Sequence, residues 1–344
     1  MATAPPPPPP HDAESSSARE IQINAITSLD EPWPSAAHVA AATSTYRQGA
    51  FAVSSRKLPI SKAGPIAALE RELGIPVPEM IFGDNLVSVC HLRTGWRIDF
   101  AARDALDAVD KTGENMLRVA YARAWSASRE QTSAGIRDVV RPFDWSYSTT
   151  YRGTLILPGS DSDISSSGGG GGGDGETDST KTNGTRPSES TDESTNDEEH
   201  RRRQFAFAPT TVPIPIELLK RRDPIRFFDD VMLYESELDD NGISVLSVKL
   251  RVHDERMLLL CRLYMRLDGV LCRVRDTRVY VDFASEVVTR EYTAKEAAFD
   301  DVKRKLVLSG LRPDGVTIAL RDANQIAEIL PIVEQTLESV SLGS

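Results

Sequence analysis

The side chains that could do chemistry are few and scattered along this 344-residue chain. Asp84, His91 and Asp99 come nearest to a metal set, because carboxylates and imidazole are ordinary ligands, but their spacing matches no established signature. Among the histidines in ordered-looking sequence, His38, His91 and His253, none forms H-x-x-x-H or H-x-x-E-H. Cys90, Cys261 and Cys272 sit in apolar, strand-like contexts without C-x-x-C spacing, the setting of core thiols. No G-x-G-x-x-G follows a strand and no phosphate loop carries a lysine; Gly168 to Gly173 falls in low-complexity sequence. No cofactor is implied. The one enzymatic reading left is a metal-dependent hydrolase using carboxylates around Asp84, Asp99 and Asp104.

The densest cluster of charge lies in 258–280, LLLCRLYMRLDGVLCRVRDTRVY, where two alternating apolar arms meet at Asp268-Gly269. Asp-Gly between such arms predicts a two-residue hairpin with positive φ at both turn positions. That register puts Leu263, Met265 and Leu267 on one face with Val270, Cys272 and Val274. Arg262, Arg266, Arg273 and Arg275 then share the opposite face, which reads either as a solvated sheet surface or as a cationic contact surface.

The elements that must position these residues alternate between sheet and helix without βαβ regularity. Strands are expected over 51–60, 80–100, 244–252 and 287–292, the last following the hairpin. A helix is expected through Ile66, Leu69, Glu70 and Leu73, stopped by Gly74. Another is expected over 102–125 with Leu117, Ala120 and Ala124 as its apolar stripe. Ile214 to Leu238 reads as helix, restarted at Asp223-Pro224, and 322–340 as a final helix kinked at Pro331. The pattern specifies an α+β fold: a single domain with a mainly antiparallel, twisted, sandwich-like sheet and packed helices.

Composition sets the borders of that domain. Residues 1–20, with Pro5 to Pro10, form a Pro/Ser-rich tail expected to be disordered, and 158–204 an acidic Gly/Ser-rich insertion of the same character. The domain therefore comprises 21–157 and 205–340. The formal charge of −11 is concentrated in the insertion, where eleven acidic residues face five basic ones. The folded part is only mildly acidic, which implies neither a nucleic-acid footprint nor a membrane-binding surface. With no leader-like segment and no long apolar run, a cytoplasmic protein is expected, with a nuclear pool allowed.

Several runs in order carry a family resemblance: 78–85 (PEMIFGDN), 98–106 (IDFAARDAL), 141–155 (RPFDWSYSTTYRGTL), Pro209-Thr210-Thr211 with 225–228 (IRFF), the stretch 234–252, 267–271 (LDGVL) with Asp276-Thr277-Arg278, and 290–293 (REYT). Together they resemble the TIPRL, or Tip-forty-one, family of TOR signalling regulators over about 45–157 and 205–335. Cys272 and Val274 stand where that family more often has Met. The resemblance implies a non-enzymatic regulator that binds catalytic subunits of type 2A protein phosphatases, those of types 4 and 6 included. It further implies an adaptor of the Tap-forty-two (alpha-four) type as a partner. It carries Asp104 of R-D-A-L, Ile214 after P-T-T-V-P, and Val274 with Asp276 of V-R-D-T-R over as partner-binding residues. Asp104 could equally cap its helix, and Asp276 could pair with Arg273, Arg275 or Arg278. Trp145, Tyr147 and Tyr151 read as core aromatics.

Overall fold

A computed structural model describes residues 34–109, 147–157, 205–238 and 242–343. The expectations for the N-terminal tail, for Leu117, Ala120, Ala124 and Trp145, and for the insertion 158–204 lie outside these residues.

Two antiparallel sheets face one another. The first contains β1 (Thr43–Gln48), β2 (Phe51–Arg56), β4 (Leu86–His91), β5 (Arg97–Ala101) and β6 (Thr154–Ile156) in that order. The second runs β3 (Met80–Ile81), β8 (Phe227–Ser236), β9 (Gly242–Val252), β10 (Arg256–Leu267), β11 (Leu271–Asp282), β12 (Val287–Ala298), β13 (Ile332–Ser341) and β7 (Ala208–Pro209). Alternation decides which side chains are buried between them: Phe51, Val53, Val87, Val89, Ile98 and Phe100 from the first sheet meet Val248, Leu250, Leu259, Leu263, Met265, Val279 and Val281 from the second. The architecture is the expected α+β class, with a sandwich at its centre.

The far face of the second sheet is covered near the β10–β11 turn by three short helices, α5 (Phe299–Leu308), α6 (Pro313–Ala319) and α7 (Ala323–Ile329). Val302, Leu306, Val316, Leu320, Ile326 and Leu330 pack there on Tyr264, Cys272 and Val274, forming a second apolar cluster. The remaining helices are α1 (Ala36–Ala41), α2 (Ala63–Leu73), α3 (Ala102–Asp107) and α4 (Ile216–Lys220). Gly74 ends α2 in the left-handed region at φ 70°, as its position after Leu73 predicts.

Four expectations are corrected. The β10–β11 loop has three residues, Asp268-Gly269-Val270, because Leu267 pairs with Leu271 and only Gly269 (φ 76°) has positive φ. This one-residue change exchanges the faces of β11. Arg262 and Arg266 now share a face with Cys272, Val274 and Asp276, whereas Arg273 and Arg275 lie on the side of Leu263 and Met265. No single cationic face forms. Second, the predicted helix over Ile214 to Leu238 is only α4, and 227–236 is strand. Asp223 does not cap a helix because its carboxylate takes the Arg256 Nη2 at 2.6 Å, and Asp229, Val231 and Leu233 alternate inward. Third, the final helix stops at Ile329. Proline disfavours the helical region for the residue before it and offers no N–H, so Leu330 is extended and β13 follows Pro331. Fourth, the helix from 102 ends at Asp107, and Val109 bridges Thr149 instead.

Asp229 clasps the two sheets. It lies buried on β8, where the Ser55 hydroxyl and the Lys57 ammonium from the β2 side donate to its carboxylate and the Asp230 N–H adds a bond of 2.9 Å. Burial pushes its pKa up, but the Lys57 and Ser55 bonds outweigh that and hold it below the ordinary 3.8. A depressed carboxylate stabilises the fold above its unfolded pKa, and that contribution is lost as pH falls through the folded value. Asp229→Asn should therefore cost roughly 1–3 kcal/mol at neutral pH. Thermal melts of both proteins should begin to approach one another only below about pH 4 and meet once pH has passed below the folded value; a gap independent of pH would refute the assignment.

Candidate interaction surface

Asp276 sits on β11 in the middle of the eight-stranded sheet, facing the helical layer. Cross-strand pairing sets Arg262 directly opposite, so its guanidinium reaches the carboxylate side-on: Nε to Oδ1 at 2.6 Å and Nη2 to Oδ2 at 2.7 Å. Arg278, two residues along β11 on the same face, adds Nη2 to Oδ2 at 3.2 Å and ties its Nη1 to Glu291 on β12 at 2.9 Å. Arg262 in turn donates Nη1 to Asn324 Oδ1 at 2.8 Å, at the start of α7. The network thus joins β10, β11, β12 and α7, and its central carboxylate side chain is 1% exposed.

The pairing anticipated for Asp276 is correct for Arg278 but not for Arg273 or Arg275, which the register places across the sheet. Sequence reasoning missed Arg262 as the principal partner. The signal was available, since Arg262 faces Asp276 once the loop has three residues. On their own face, Arg273 bonds Ser148 Oγ at 2.7 Å and Glu296 Oε2 at 2.5 Å, and Arg275 lies 3.5 Å from Glu296. Arg152 stacks 4.3 Å from the centre of the Tyr292 ring beside them.

Val274 is fully buried beneath α5 and α6, in one cluster with Val302, Leu306 and Val316. Its neighbour across β10, Tyr264, donates its hydroxyl to the Leu320 carbonyl at 2.7 Å and fixes the helical layer to the sheet. Ile214, also buried, precedes α4. That helix is held at the other end of β10, where Arg256 Nη2 donates to the Leu218 carbonyl at 2.7 Å. Arg256 and Arg262 are six residues apart on one strand, about 20 Å. Asp104 belongs to the opposite side of the sheet. It lies in the first turn of α3, accepts from the Thr154 hydroxyl of β6 and from Arg103 Nη1 at 3.2 Å, and keeps a quarter of its side chain exposed. It forms no N-cap; that position is Ala101. Val274 and Asp276 are therefore together, Ile214 is at a distance on the same side, and Asp104 is separate.

The carboxylates of the hydrolase reading are exposed or already engaged, although the Asp104 charge is felt at Asp99. Asp84 is on an exposed turn, Asp104 is taken by Thr154 and Arg103, and Asp99 lies 3.2 Å from Arg97 with burial pushing its pKa up. Among the described residues no three His, Cys, Asp or Glu side chains gather as a metal-holding group. Cys261 and Cys272 are buried thiols whose pKa burial raises, that of Cys272 to about 12. Tyr147 is a core aromatic and Tyr151 is packed against the core, its hydroxyl bonded to the Asp99 carbonyl at 2.8 Å. No described helix is long and apolar enough to cross a membrane.

Comparison with known proteins gives this geometry a lineage. A family model described as the TIP41-like family matches residues 80–303, which span the R-D-A-L segment, α4 and the strands β10 to β12 that carry Arg262, Asp276, Arg278 and Glu291. A human TIP41-like protein is 33% identical over 293 residues, covering 85% of this chain and 87% of its own length. The Dictyostelium discoideum TIP41-like protein is 32% identical over 86% of this chain and 92% of its own. The Saccharomyces cerevisiae protein named type 2A phosphatase activator TIP41 is 32% identical over 84% of this chain and 72% of its own. With a family model covering most of the sandwich and relatives aligned over nearly its whole described length, this chain belongs to the TIP41-like family.

Proposed function

We propose that this chain is a non-enzymatic regulator of type 2A protein phosphatases that acts by binding their catalytic subunits. The observation that carries the reading is its 32% identity, over 84% of the chain, to a yeast relative named a type 2A phosphatase activator. A fission-yeast relative bearing the same activator description supports it. The proposal extends to the type 4 and type 6 catalytic subunits, to an adaptor of the Tap-forty-two kind, to a role in TOR signalling and to a cytoplasmic location.

Geometry indicates how the four carried-over residues would serve such binding. Asp104, partly exposed on α3, offers a carboxylate directly. Asp276 and Val274 have no surface to offer and act by holding α5–α7 in place, and Ile214 acts on α4 in the same way. Asp104→Lys is therefore expected to weaken binding to a purified type 2A catalytic subunit at least tenfold, since close interfacial charge pairs couple by about 1.5–7 kcal/mol. Its melting midpoint should fall by a few degrees, because the exposed Arg103 pair contributes little and the Thr154 hydroxyl bond about 1 kcal/mol. Size-exclusion co-elution and a binding isotherm test both points. A folded wild-type chain that fails to bind any type 2A, 4 or 6 catalytic subunit would refute the function.

A further inference from the structure

The outer surface of the helical layer carries a groove of about 580 Å³ that none of the four partner-binding residues lines. It lies between α5 and α6 at the base of the β10–β11 turn. Phe299, Val307, Leu311, Pro313, Val316 and Leu320 form its apolar wall and floor. Of the lining residues Val307 is 56% exposed, and on the same two helices Leu308 is 79% and Ile318 68% exposed. Three large aliphatic side chains so exposed on two adjoining short helices exceed the scattered apolar residues of an ordinary surface and mark a contact region.

The rim is charged, and the charge is unbalanced. Arg266 is already committed, its Nε 2.7 Å from Asp268 and its Nη1 donated to the Leu320 carbonyl at 2.8 Å. Lys303 and Arg321 are exposed on opposite sides of the groove, and neither has a carboxylate partner among the described residues. Arg304, close by on α5, is satisfied by Asp301 at 3.2 Å. The groove therefore presents an apolar floor flanked by two exposed cations without a carboxylate partner among the described residues, Lys303 resting with its ammonium 5.8 Å from the centre of the Phe299 ring. Its size suits a few aliphatic or aromatic side chains from one helical face, the i, i+3/i+4, i+7 anchors of helix-in-groove recognition, and its rim suits acidic residues flanking that face.

We infer that this groove receives an acidic amphipathic helical segment of the phosphatase catalytic subunit, an inference that rests on the function proposed above. The floor is one layer from Val274: Val316 and Leu320 line the groove and belong to the buried cluster that contains Val274 and Cys272. A buried residue on β11 thereby influences a partner it never touches, by setting the separation of α5 and α6. Truncating it would alter the floor, and the Tyr264 hydroxyl bond to Leu320 fixes the same wall.

The test uses the full chain and a purified type 2A catalytic subunit. Two variants probe independent features, Val307→Glu on the wall and the paired change Lys303→Glu with Arg321→Glu on the rim. All three positions are exposed, so melting midpoints should stay within a few degrees of wild type. Each variant is expected to bind at least tenfold more weakly. The rim variant should also lose the salt dependence of the wild-type interaction, because charges on the rim act through screened long-range attraction. If both folded variants bind as tightly as wild type while Asp104→Lys weakens binding, the groove inference is overturned and the phosphatase reading stands. A wild-type chain that does not bind the subunit overturns both. Loss in Val307→Glu with an unchanged rim variant overturns the acidic character assigned to the segment.

Discussion

Asp276→Ala is expected to destabilise the fold by about 3–5 kcal/mol, because it leaves the Arg262 guanidinium buried against the helical layer without its counter-charge. Arg278 could not offset the loss, since it is a cation too and is held by Glu291. Asp276→Asn keeps the shape and one acceptor, and should fall between wild type and alanine. The decisive measurement is the double replacement. Arg262→Met combined with Asp276→Leu removes both charges and fills the space, so it should recover most of the loss seen in Asp276→Ala. Denaturant unfolding gives all three values. An alanine variant within about 1 kcal/mol of wild type would show that the network is surface decoration, which a 1% exposed carboxylate contradicts.

A consequence follows for any binding study. A change at Asp276 that abolishes phosphatase binding need not identify a contact, because the same change loosens α7 through Arg262 and Asn324. Stability must be measured beside affinity. Asp104 carries less of this ambiguity, as its partners are Thr154 on the edge strand of the first sheet and the exposed Arg103 of its own helix.

The long strands β9 to β11 were readable because inward-facing apolar residues recur at every second position over eleven or twelve residues, whereas β12, without that alternation, was expected only over 287–292 and runs on to Ala298. Loop length was not readable. Asp-Gly satisfies a two-residue turn, and the same glycine in the left-handed region also closes a three-residue loop. The difference of one residue decided which arginines met Asp276. Strand β8 was misread because F-F-D-D-V-M-L-Y places its charge in adjacent pairs, and the buried Asp229 broke the apolar alternation that would have revealed a strand. What made Asp229 compatible with the core was Lys57 and Ser55, about 170 residues earlier, a contact no local pattern encodes. Helices α5 and α6 were missed for the converse reason: seven to ten residues give too few turns for a stripe to emerge. The carried-over residues came from motif identity rather than from geometry, and the structure separates them into one partly exposed residue and three buried ones.

Trp96→Ala should be comparably damaging, about 3–5 kcal/mol, for a reason rooted in topology. Trp96 follows Gly95, whose φ of 75° turns the chain between β4 and β5, and its ring is fully buried. The indole N–H donates to the Phe205 carbonyl at 3.2 Å, and the ring meets Phe207 edge-on at 5.9 Å. Trp96 therefore anchors the segment 205–207, which leads into β7, to the first sheet. Phe207 is held from its other side by Arg290, 4.0 Å over the ring, and two residues later β7 pairs with Ser339 and Glu338 of β13. Removing the indole opens a cavity and frees this segment together, so the Thr210 amide, bonded to the Leu337 carbonyl of β13 at 3.0 Å, should lose hydrogen-exchange protection before the central strands do. Trp96→Phe keeps most of the volume but loses the hydrogen bond, and should cost about 1–2 kcal/mol with Thr210 protection only partly reduced. If Trp96→Ala unfolded in a single transition with Thr210 protected as strongly as β10, the anchoring role would be wrong and Trp96 would be a core filler alone.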